Sequence, residues 1–355
     1  MATAVRSTKQ QQKTAIVVGC GGMGRAWMKN LQENPRSTLV AVVDVRLEAA
    51  QAAAKDFGLP PDRAFSNLKA AIAAVRPDFV CDITIPEGHC PTTTTALGLG
   101  VPVIGEKPLA ASMSEGRKMV KAAEKAGVTS MVSQSRRYDG KHVAIRDALR
   151  KGAIGDITTL NCDFYVGAHF SPPGRTDFRD LMESPLILDM SIHHFDLCRF
   201  FFAADPVAVY CREFNPTGSW YKGDVAASAI FELANGAVFT YRGSWCSEGR
   251  HTSWHGDWRI VGSRGSITYE NDQEAKGERV KKGAKPGFFH DKEPIALPAA
   301  SINGEGIAGS LNEFLDHLTK GKPVQCETKD NIKSLAMVFA AMKSSRSGKR
   351  EKITW

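Results

Sequence analysis

Short apolar runs alternate with amphipathic stretches over the first third of the chain. Runs of about five apolar, mostly β-branched residues, such as 15–18 and 39–43, are followed by segments whose apolar positions recur at helical spacing. This alternation is typical of β-α-β units. We therefore predict a doubly wound parallel sheet over residues 14–133. Its strands are at 15–18, 39–43, 78–83 and 101–104, and its helices at 23–33, 47–57, from Pro91, and at 116–125 after a cap at Ser114.

The pattern changes after residue 135. One helix at 141–151 is followed by longer strands in which apolar and polar residues alternate, and Asn235-Gly236 lies between two of them as a hairpin signal. This pattern predicts a large, mostly antiparallel open sheet, with a helix near 189–202 covering one face. The predicted strands are 158–166, 207–214, 226–233, 237–243, 257–261 and 266–269, with loops at 171–184 and 271–299 and closing helices near 311–319 and 331–343.

The composition is that of a folded globular chain. The 355 residues are 43% hydrophobic and 24% charged, with 32 glycines and 17 prolines, which excludes collagen, coiled-coil and disordered classes. The formal net charge of +8 raises the question of an anionic partner. Basic and acidic residues are mixed, however, and the densest basic run, 278–285, is predicted to be a solvated loop. We therefore expect neither a nucleic-acid partner nor a membrane partner.

Cysteine usage and hydropathy indicate the compartment. The eight cysteines form no C-x-x-C pair and several lie inside apolar runs, so buried free thiols in a reducing compartment are expected. The sequence holds no run of about 18 apolar residues, and the polar residues 1–13 lack the core of a secretory signal. The sequence therefore predicts a cytoplasmic protein with a disordered tail at residues 1–13.

A glycine-rich motif follows the first predicted strand. Gly19, Gly21, Gly22 and Gly24 stand in the order G-x-G-G-x-G, with Met23 before the last glycine, between a strand and a helix. The first glycine permits a tight turn, the middle pair lets backbone amides approach a pyrophosphate, and the last lets the helix pack closely on the strand. The phosphates then meet the helix N-terminus, so the motif predicts a dinucleotide site.

An acidic residue stands where such a site needs one. Asp44 lies 20 residues past Gly24, at the end of the second predicted strand, where a carboxylate can accept hydrogen bonds from ribose hydroxyls. A carboxylate repels a 2′-phosphate, so NAD is favoured, but Arg46 leaves NADP open because a guanidinium can pair with a phosphate. Residues 14–135 are predicted as a dinucleotide-binding Rossmann domain, and 136–355 as an α+β domain for substrate binding and oligomerisation.

Three further motifs follow the glycine motif along the chain. They are Ile85-Pro86-Glu87-Gly88-His89, Gly105-Glu106-Lys107-Pro108 and Asp189-Met190-Ser191-Ile192-His193-His194-Phe195-Asp196. In this order the four motifs resemble the Gfo/Idh/MocA family of nicotinamide-dependent sugar and cyclitol oxidoreductases, over most of the chain. The resemblance implies that Pro86, His89, Glu106 and Lys107 lie against the cofactor and that His89 also meets the substrate.

The resemblance implies catalytic roles for a lysine and a histidine. The family pattern places Lys107 beside the nicotinamide, at the substrate hydroxyl, where an ammonium can stabilise a developing alkoxide. It makes His193 the general acid/base and gives Asp189 the role of positioning it or the substrate hydroxyls. By spacing alone, Asp189 and His193 share one helix face, but a structural pair has the same spacing. The two segments are expected on opposite walls of one crevice.

Further residues are expected to contact the substrate. Arg137 and Tyr138 match the family's Arg-aromatic pair, although Ser135 stands where relatives have Asn. Arg175 and Phe178 offer a fork for carboxylates or vicinal hydroxyls and a ring face for a sugar, or they belong to an exposed loop.

Two more residues and the question of a metal complete the predicted site. Trp254 is a further predicted substrate contact, and His194 is either a second contact or a buried, hydrogen-bonded residue. Ser191 replaces the family's glycine before the histidine, which leaves the substrate open. The histidines and carboxylates near His193 lack zinc spacing, so we predict no metal site.

These observations predict an NAD(P)-dependent dehydrogenase acting on a secondary alcohol of a sugar, glycoside or inositol, with Lys107 and His193 handling the hydroxyl proton. One alternative is an enzyme of the same fold that retains NAD and catalyses epimerisation or elimination by transient oxidation. Another is a non-catalytic dinucleotide-binding sensor. A homodimer or homotetramer is expected by analogy, since open sheet faces of such domains often pair.

Overall fold

The computed structural model describes residues 12–171 and 175–355. The described chain forms two compact units: the first contains the described residues up to Ser133 together with Ile307–Thr328, and the second contains Gln134–Gly306 and Lys329–Trp355. The predicted tail at 1–13 lies outside the described residues except for its last two, and Lys13 already belongs to the first strand.

Strands and helices alternate in the first part of the chain, and strands dominate the second. The strands are β1 (Lys13–Val18), β2 (Ser37–Val43), β3 (Ala64–Phe65), β4 (Phe79–Asp82), β5 (Val103–Gly105), β6 (Ser130–Val132), β7 (Ile157–Tyr165), β8 (Pro206–Phe214), β9 (Ala226–Leu233), β10 (Val238–Ser244), β11 (Asp257–Gly262), β12 (Gly265–Tyr269), β13 (Lys276–Val280), β14 (Lys292–Ile295) and β15 (Glu351–Lys352). The helices are α1 (Gly22–Glu33), α2 (Leu47–Asp56), α3 (Leu68–Val75), α4 (Pro86–Gly98), α5 (Met113–Ala126), α6 (Gly140–Arg150), α7 (Phe178–Leu181), α8 (Ile192–Phe202), α9 (Gly306–Lys320) and α10 (Thr328–Ser347).

The first unit is built on a parallel sheet of six strands in the order β3-β2-β1-β4-β5-β6. Its central strands are near-continuous apolar runs because both faces are covered by helices; all four residues of β4, for example, are buried. Chain order reverses between β1 and β4, which is the topological switch point where doubly wound sheets bind ligands. The predicted doubly wound parallel sheet is confirmed.

Helix α4 begins at Pro86, so the predicted start at Pro91 is wrong. Proline suits the first helical position, where its missing N–H would have no helical partner, and Pro86 takes that position. Pro91 lies inside the helix, where it leaves one carbonyl without its usual donor. The helix continues through Pro91, and its buried residues pack on β4 and β5.

Helix α5 also begins earlier than predicted. Its N-cap is Ser112, whose hydroxyl oxygen accepts a hydrogen bond from the Glu115 N–H at 3.2 Å. The predicted cap at Ser114 is therefore wrong by two residues. Both serines precede the amphipathic run, and only the backbone geometry decides which of them caps it.

The second unit contains a nine-stranded sheet in the order β14-β13-β12-β11-β7-β10-β9-β8-β15. The pairing is antiparallel except between β10 and β7, which are parallel. Gly236 has a φ of 83° in the turn between β9 and β10, a conformation that glycine adopts without strain. The predicted, mostly antiparallel sheet is confirmed.

One face of this sheet is covered by α8. The ring of Phe195 packs edge-on against Phe231 at a centroid distance of 4.7 Å, and Phe201 packs against Trp258 at 5.3 Å. The opposite face of β8 and β9 is exposed at alternate positions. This alternation is what the period-two pattern of the sequence predicts.

The sequence predicts a loop over the whole of 271–299. This prediction is wrong in part, because the segment contains the strands β13 and β14. The two strands pair with each other, and Arg279 donates to Glu293 across the pair at 2.7 Å. They lie at the end of the sheet and are exposed or half-buried along their length. Edge strands of this kind lack the apolar alternation that reveals a strand in sequence.

Helix α9 belongs to the first unit, although the sequence predicts one continuous domain over 136–355. Its buried Phe314 packs edge-on against Phe79 of β4 at 5.5 Å. Asn312 accepts a hydrogen bond from the Arg36 guanidinium at 2.6 Å, and Ser310 bonds to Ser133 at 2.8 Å. Local patterns do not reveal such contacts, because they join residues far apart in the chain. None of the helices described is long and apolar enough to cross a bilayer.

We expect Phe314→Ala to lower the free energy of unfolding by about 3–5 kcal/mol, because it removes a fully buried ring and leaves a cavity. Urea unfolding followed by circular dichroism measures this loss. Phe288→Ala is the matched control, since that ring is 96% exposed, and it should change stability by less than about 0.5 kcal/mol. Equal effects of the two substitutions would contradict the packing of α9 on the first sheet.

Candidate active site

The turn between β1 and α1 requires glycine at two positions. Gly19 has a φ of 97°, and a Cβ there would lie 2.2 Å from the carbonyl oxygen of Ile83. A Cβ on Gly24 would lie 1.8 Å from the carbonyl oxygen of Gly19. Both distances are far below van der Waals contact, so the turn and the close approach of α1 exclude any side chain at these positions.

The two middle glycines of the motif face open space instead. A Cβ on Gly21 or Gly22 would meet no atom of the described residues within 4 Å. Packing within the unit therefore does not explain why they are glycines. They stand at the N-terminus of α1, whose free backbone N–H groups attract an anion. The space fits the pyrophosphate of a dinucleotide, whose contact with Gly21, Gly22 and Met23 stays a prediction.

Asp44 is fixed at the end of β2, next to this loop. Its carboxylate accepts hydrogen bonds from the Cys20 N–H at 2.9 Å and from the Arg46 N–H at 3.0 Å. The carboxylate is mostly buried and retains lone pairs for ribose hydroxyls. The Arg46 side chain is 76% exposed, with Nε 3.9 Å from Asp44 Oδ1. Its position leaves the predicted NADP alternative open.

Large apolar side chains are exposed at the same edge of the sheet. Val45 lies two residues after the end of β2 and is 92% exposed, Ile85 lies three residues after the end of β4 and is 66% exposed, and Met23 lies half exposed in the first turn of α1. Exposed apolar residues grouped at strand ends suit the ring faces of a nucleotide. The sequence analysis assigns no contact to Val45 or Ile85, and the available signal is that each lies two residues after a predicted strand.

A buried carboxylate anchors the start of α4. Asp82, the last residue of β4, accepts a hydrogen bond from His89 Nδ1–H at 3.1 Å and others from the hydroxyls of Thr84 and Thr93 at 2.7 and 2.8 Å. His89 Nε2 is buried and has no hydrogen-bond partner among the residues described. The carboxylate thereby fixes the ring and leaves Nε2 as an acceptor. Contacts of His89 and Pro86 with cofactor or substrate stay predictions.

The Glu106 side chain holds the backbone of Lys107, the residue that follows it. Its buried carboxylate accepts hydrogen bonds from Trp27 Nε1 at 2.9 Å and from the Lys107 N–H at 3.2 Å. Burial raises the pKa of the Glu106 carboxyl. Lys107 itself is half-buried after the end of β5, and the peptide bond to Pro108 is cis. The predicted contact of Glu106 with the cofactor stays a prediction beside this structural role.

The predicted histidine helix has an irregular start. Residues Leu186–Ser191 form a π-helical turn that leads into α8, so Asp189 lies in the π turn and His193 in the first turn of the α-helix. The four-residue spacing places two side chains on one face only in a regular α-helix. The orienting contact between Asp189 and His193 stays a prediction. π turns inside helices are frequent at functional sites.

Arg179, the second guanidinium of the predicted loop, contacts Asp189 in this region. Its Nε donates to Asp189 Oδ2 at 2.6 Å. Its guanidinium carbon lies 4.7 Å from the ring centre of Phe170 and 4.3 Å from that of Phe178. Phe178, a predicted substrate contact, is about half exposed. Asp177 and Asp180 form a capping box around Phe178 and Arg179.

The sequence leaves His194 as either a substrate contact or a buried, hydrogen-bonded residue, and in the structure it is buried and hydrogen-bonded. Its Nε2 accepts a hydrogen bond from the Arg136 guanidinium at 2.9 Å, and its ring lies 5.0 Å from Phe164 and 5.5 Å from Tyr241. Burial, reinforced by Arg136, holds the pKa of His194 well below its usual range. A fully buried imidazole serves the packing of α8, and a contact of His194 with the substrate stays a prediction beside this structural role.

Arg137 and Tyr138 are buried as well. Arg137 donates two hydrogen bonds to the Asp196 carboxylate, at 2.6 and 2.7 Å. The same carboxylate accepts from the Ser334 hydroxyl at 2.7 Å, and Arg199 pairs with Asp330 at 2.5 Å. The bidentate pair is strong and directional and joins Arg137 to α8, and the contacts of Ser334 and Asp330 tie α8 to α10. Substrate contacts of Arg137 and Tyr138 stay predictions next to this structural role.

An open hollow of about 470 Å³ lies in the second unit. Arg175, a predicted substrate contact, lines it, and the ring of His169 stacks on Trp220 at 3.8 Å inside it. Further lining comes from Tyr221 and Lys222. The predicted contact Trp254 is about half exposed and lies 6.0 Å from Phe164. The neighbouring residues 172–174 of the predicted loop lie outside the described residues.

Comparisons with protein families match two long segments of the chain. Residues 13–134 match the model of an oxidoreductase family with an NAD-binding Rossmann fold, and residues 142–268 match the model of the GFO/IDH/MocA C-terminal domain. The two models together cover well over half of the chain.

Similar proteins have names that concern sugars and cyclitols. The chain is 27% identical to the D-apiose dehydrogenase of Paraburkholderia graminis, over 98% of this chain and 91% of that protein. It is 24% identical to the inositol 2-dehydrogenase of Rhizobium meliloti, over 92% and 95%. A crystal structure of an oxidoreductase from Agrobacterium radiobacter, in complex with NAD+, L-tartaric acid and magnesium, shares the fold with a TM-score of 0.82 at 24% identity, over 97% of this chain and 99% of that one.

The open space at Gly21 generates a prediction about cofactor affinity. Gly21→Ala should raise the Kd for NADH by about tenfold or more, because the new methyl group occupies space that the pyrophosphate needs. Stability should fall by only about a few tenths of a kcal/mol, the loss of a glycine N-cap. Fluorescence titration of NADH and thermal melting measure the two quantities.

Gly98→Ala is the matched control, because a Cβ there also meets no described atom within 4 Å while the residue stands at the far end of α4. Its Kd should equal that of the parent chain. A Gly21→Ala protein that binds NADH as tightly as the control would contradict the assignment of this space to the cofactor.

Proposed function

The chain belongs to the Gfo/Idh/MocA oxidoreductase family and has its NAD-binding Rossmann domain, and from this premise we propose that it is a dehydrogenase acting on a secondary alcohol of a sugar, glycoside or inositol. Bound NAD supplies the acceptor for the hydride that leaves the alcohol carbon. The residues of the chain then have to bind the polyol, orient one hydroxyl and take its proton.

The observation that carries the proposal is the position of Lys107. Three adjacent strands, β1, β4 and β5, end at one edge of the parallel sheet. The glycine turn follows β1, the helix with His89 follows β4, and the Glu106-Lys107-Pro108 tripeptide follows β5. A half-buried ammonium at the ligand edge of a dinucleotide-binding sheet is suited to stabilise negative charge on a substrate oxygen.

His193 is proposed as the group that takes the hydroxyl proton. It lies half-buried in the first turn of α8, and an imidazole exchanges protons near neutral pH. The preceding π turn carries Asp189, which Arg179 holds at 2.6 Å. An ionised carboxylate fixed in this way can orient the imidazole or accept a hydrogen bond from a substrate hydroxyl.

The proposed substrate class rests on two supports. Two relatives that align with most of the chain are named D-apiose dehydrogenase and inositol 2-dehydrogenase. Both names denote activity on a polyhydroxylated compound. The hollow in the second unit offers the stacked rings of His169 and Trp220 together with Arg175 and Lys222. Aromatic faces and hydrogen-bond donors are the groups that recognise sugars and their acids.

A substrate panel tests the proposal. NADH fluorescence is followed with NAD and aldoses, uronates, glycosides or inositols, each in excess. At least one of these compounds should give continuous NADH formation. If epimerised or dehydrated product accumulates with no NADH and with NAD retained through purification, the enzyme recycles its cofactor and the net dehydrogenase is refuted. If no compound reacts while NAD binds, the chain is a sensor, and the proposal fails.

Substitution of the two proton-handling residues gives the sharpest prediction. Lys107→Met and His193→Gln should each lower kcat by about a hundredfold or more while the Kd for NADH changes little, because each removes a group that acts on the hydroxyl proton. Lys285→Met and His290→Gln on an exposed loop are the matched controls and should keep full activity. Retained turnover in either active-site variant would contradict the assigned role.

The double variant Lys107→Met/His193→Gln separates a joint role from two independent ones. If both side chains act on the same proton, the double variant should be no slower than the slower single variant, within about threefold. Losses that multiply would mean that the two residues contribute separately, and a joint role in proton handling would be refuted.

We further propose that the chain forms a homodimer or homotetramer through the uncovered face of its large sheet. Tyr210 of β8 and Ile230 of β9 stand directly opposite each other, and both are about half exposed. Phe214 of β8 is exposed on the same strand. Apolar pairs on an open sheet are stabilised when a second copy covers them.

Ile230→Lys should shift the mass measured by light scattering toward the monomer, because the new charge must be desolvated in the interface. Phe288→Lys, on an exposed loop, is the control and should leave the mass unchanged. A wild-type chain that is monomeric at micromolar concentration would refute the proposed oligomer.

A further inference from the structure

A cluster of metal-ligating side chains lies in the second unit. Asp139, His142 and His255 each offer one ligand atom, and these atoms all lie within 4.8 Å of one another. Asp139 is the N-cap of α6, His142 stands in the first turn of that helix, and His255 precedes β11. The N-terminus of α6 and the segment before β11, which are distant in sequence, therefore bring one oxygen and two imidazole nitrogens close together.

His142 has the hydrogen-bonding state of a metal ligand. The side chain is fully buried, and its Nδ1–H donates to the Arg136 carbonyl oxygen at 2.8 Å. Its Nε2 is buried and has no hydrogen-bond partner among the residues described. Metal-ligating histidines commonly donate their other ring N–H to a carbonyl or carboxylate, which fixes the ring and the tautomer. This buried nitrogen therefore has a lone pair that a metal ion can accept.

Asp139 is fixed in the same manner by its own surroundings. Its Oδ1 accepts hydrogen bonds from the backbone N–H groups of Lys141 at 2.7 Å and His142 at 3.3 Å. Its other oxygen, Oδ2, lies 3.6 Å from His255 Nδ1. The carboxylate is thus oriented by the helix terminus and directs its second oxygen at the partner imidazole.

A second carboxylate stands beside the three. Asp272 Oδ1 lies 3.5 Å from His255 Nδ1 and accepts a hydrogen bond from the Tyr269 hydroxyl at 2.9 Å. Two carboxylates and two imidazoles offer a divalent cation two negative charges. The positive charges beside them are Arg136 and Lys141, whose ammonium donates to the Asp272 carbonyl oxygen at 2.8 Å. The Arg136 guanidinium is already occupied by His194.

We propose that Asp139, His142 and His255 bind a divalent transition-metal ion of the zinc class, with Asp272 as the fourth ligand. Zinc takes imidazole nitrogens and carboxylate oxygens at about 2.0–2.2 Å in a tetrahedron, in which ligand atoms lie about 3.4 Å apart. The separations of 3.5 and 3.6 Å around His255 Nδ1 match that value. Imidazole ligands favour zinc and similar ions over magnesium or calcium.

The ion would join α6 to the segment before β11 and to the turn after β12. All four donors are protein side chains, which is typical of a closed structural site rather than a catalytic one. The ligands are separated by more than a hundred residues between His142 and His255, so no zinc-spaced motif appears in the sequence. This is why the sequence predicts no metal site.

Metal binding to the full-length chain tests the proposal. Protein dialysed against a chelator is titrated with zinc chloride, and the bound metal is counted by elemental mass spectrometry. We expect about one zinc per chain and a rise in Tm on addition, since a ligand that binds only the folded state stabilises it. Cobalt(II), added alone, should give the intense visible bands of a four-coordinate ion.

His142→Gln and His255→Gln should each weaken zinc binding by about tenfold or more. His290→Gln, which removes an exposed histidine, is the matched control and should bind as the parent does. Because His142 is buried, its variant is informative only if circular dichroism shows that it folds. If it does not fold, the test rests on His255→Gln alone, whose position is half-buried. A folded parent chain that retains no zinc, or a His255→Gln chain that binds it equally well, would overturn the proposal.

Discussion

The close approach of α1 to β1 is the constraint on which the nucleotide edge depends. A side chain on Gly24 would collide with the carbonyl oxygen of Gly19, and one on Gly19 would collide with the carbonyl oxygen of Ile83. With both glycines in place, the chain turns tightly enough for the Cys20 N–H to reach Asp44. The turn thereby couples the anion-attracting helix terminus to the carboxylate that suits a ribose.

Asp82 extends this arrangement to the neighbouring strands. Its side chain fixes His89 at the start of α4, and its backbone oxygen accepts the Glu106 N–H at 2.9 Å. Glu106 in turn holds the backbone of Lys107 and the indole of Trp27. The lysine is therefore held by a chain of hydrogen bonds that begins in the sheet. A group held in this way needs little reorganisation when charge develops next to it.

The sequence predicted most of the fold because its signals are local. The parallel sheet, the hairpin at Gly236 and the glycine motif follow from patterns within a few residues. Each error has its own physical cause: α9 packs on Phe79 through contacts far apart in sequence, β13 and β14 lack apolar alternation, and α4 tolerates Pro91 because of its packing. In the candidate site, local motifs indicated Lys107, His193 and Asp44, whereas the contact of Arg179 with Asp189 and the His142–His255 cluster arise only from the folded chain.

Transfer of deuterium tests the central claim most directly. A polyol that the enzyme oxidises is prepared with deuterium on the carbon that bears the reacting hydroxyl, and the NADH formed is analysed by mass spectrometry. The account predicts one deuterium on each NADH and a slower rate than with the unlabelled polyol, since the hydride leaves that carbon. NADH formed without deuterium would contradict the proposed reaction.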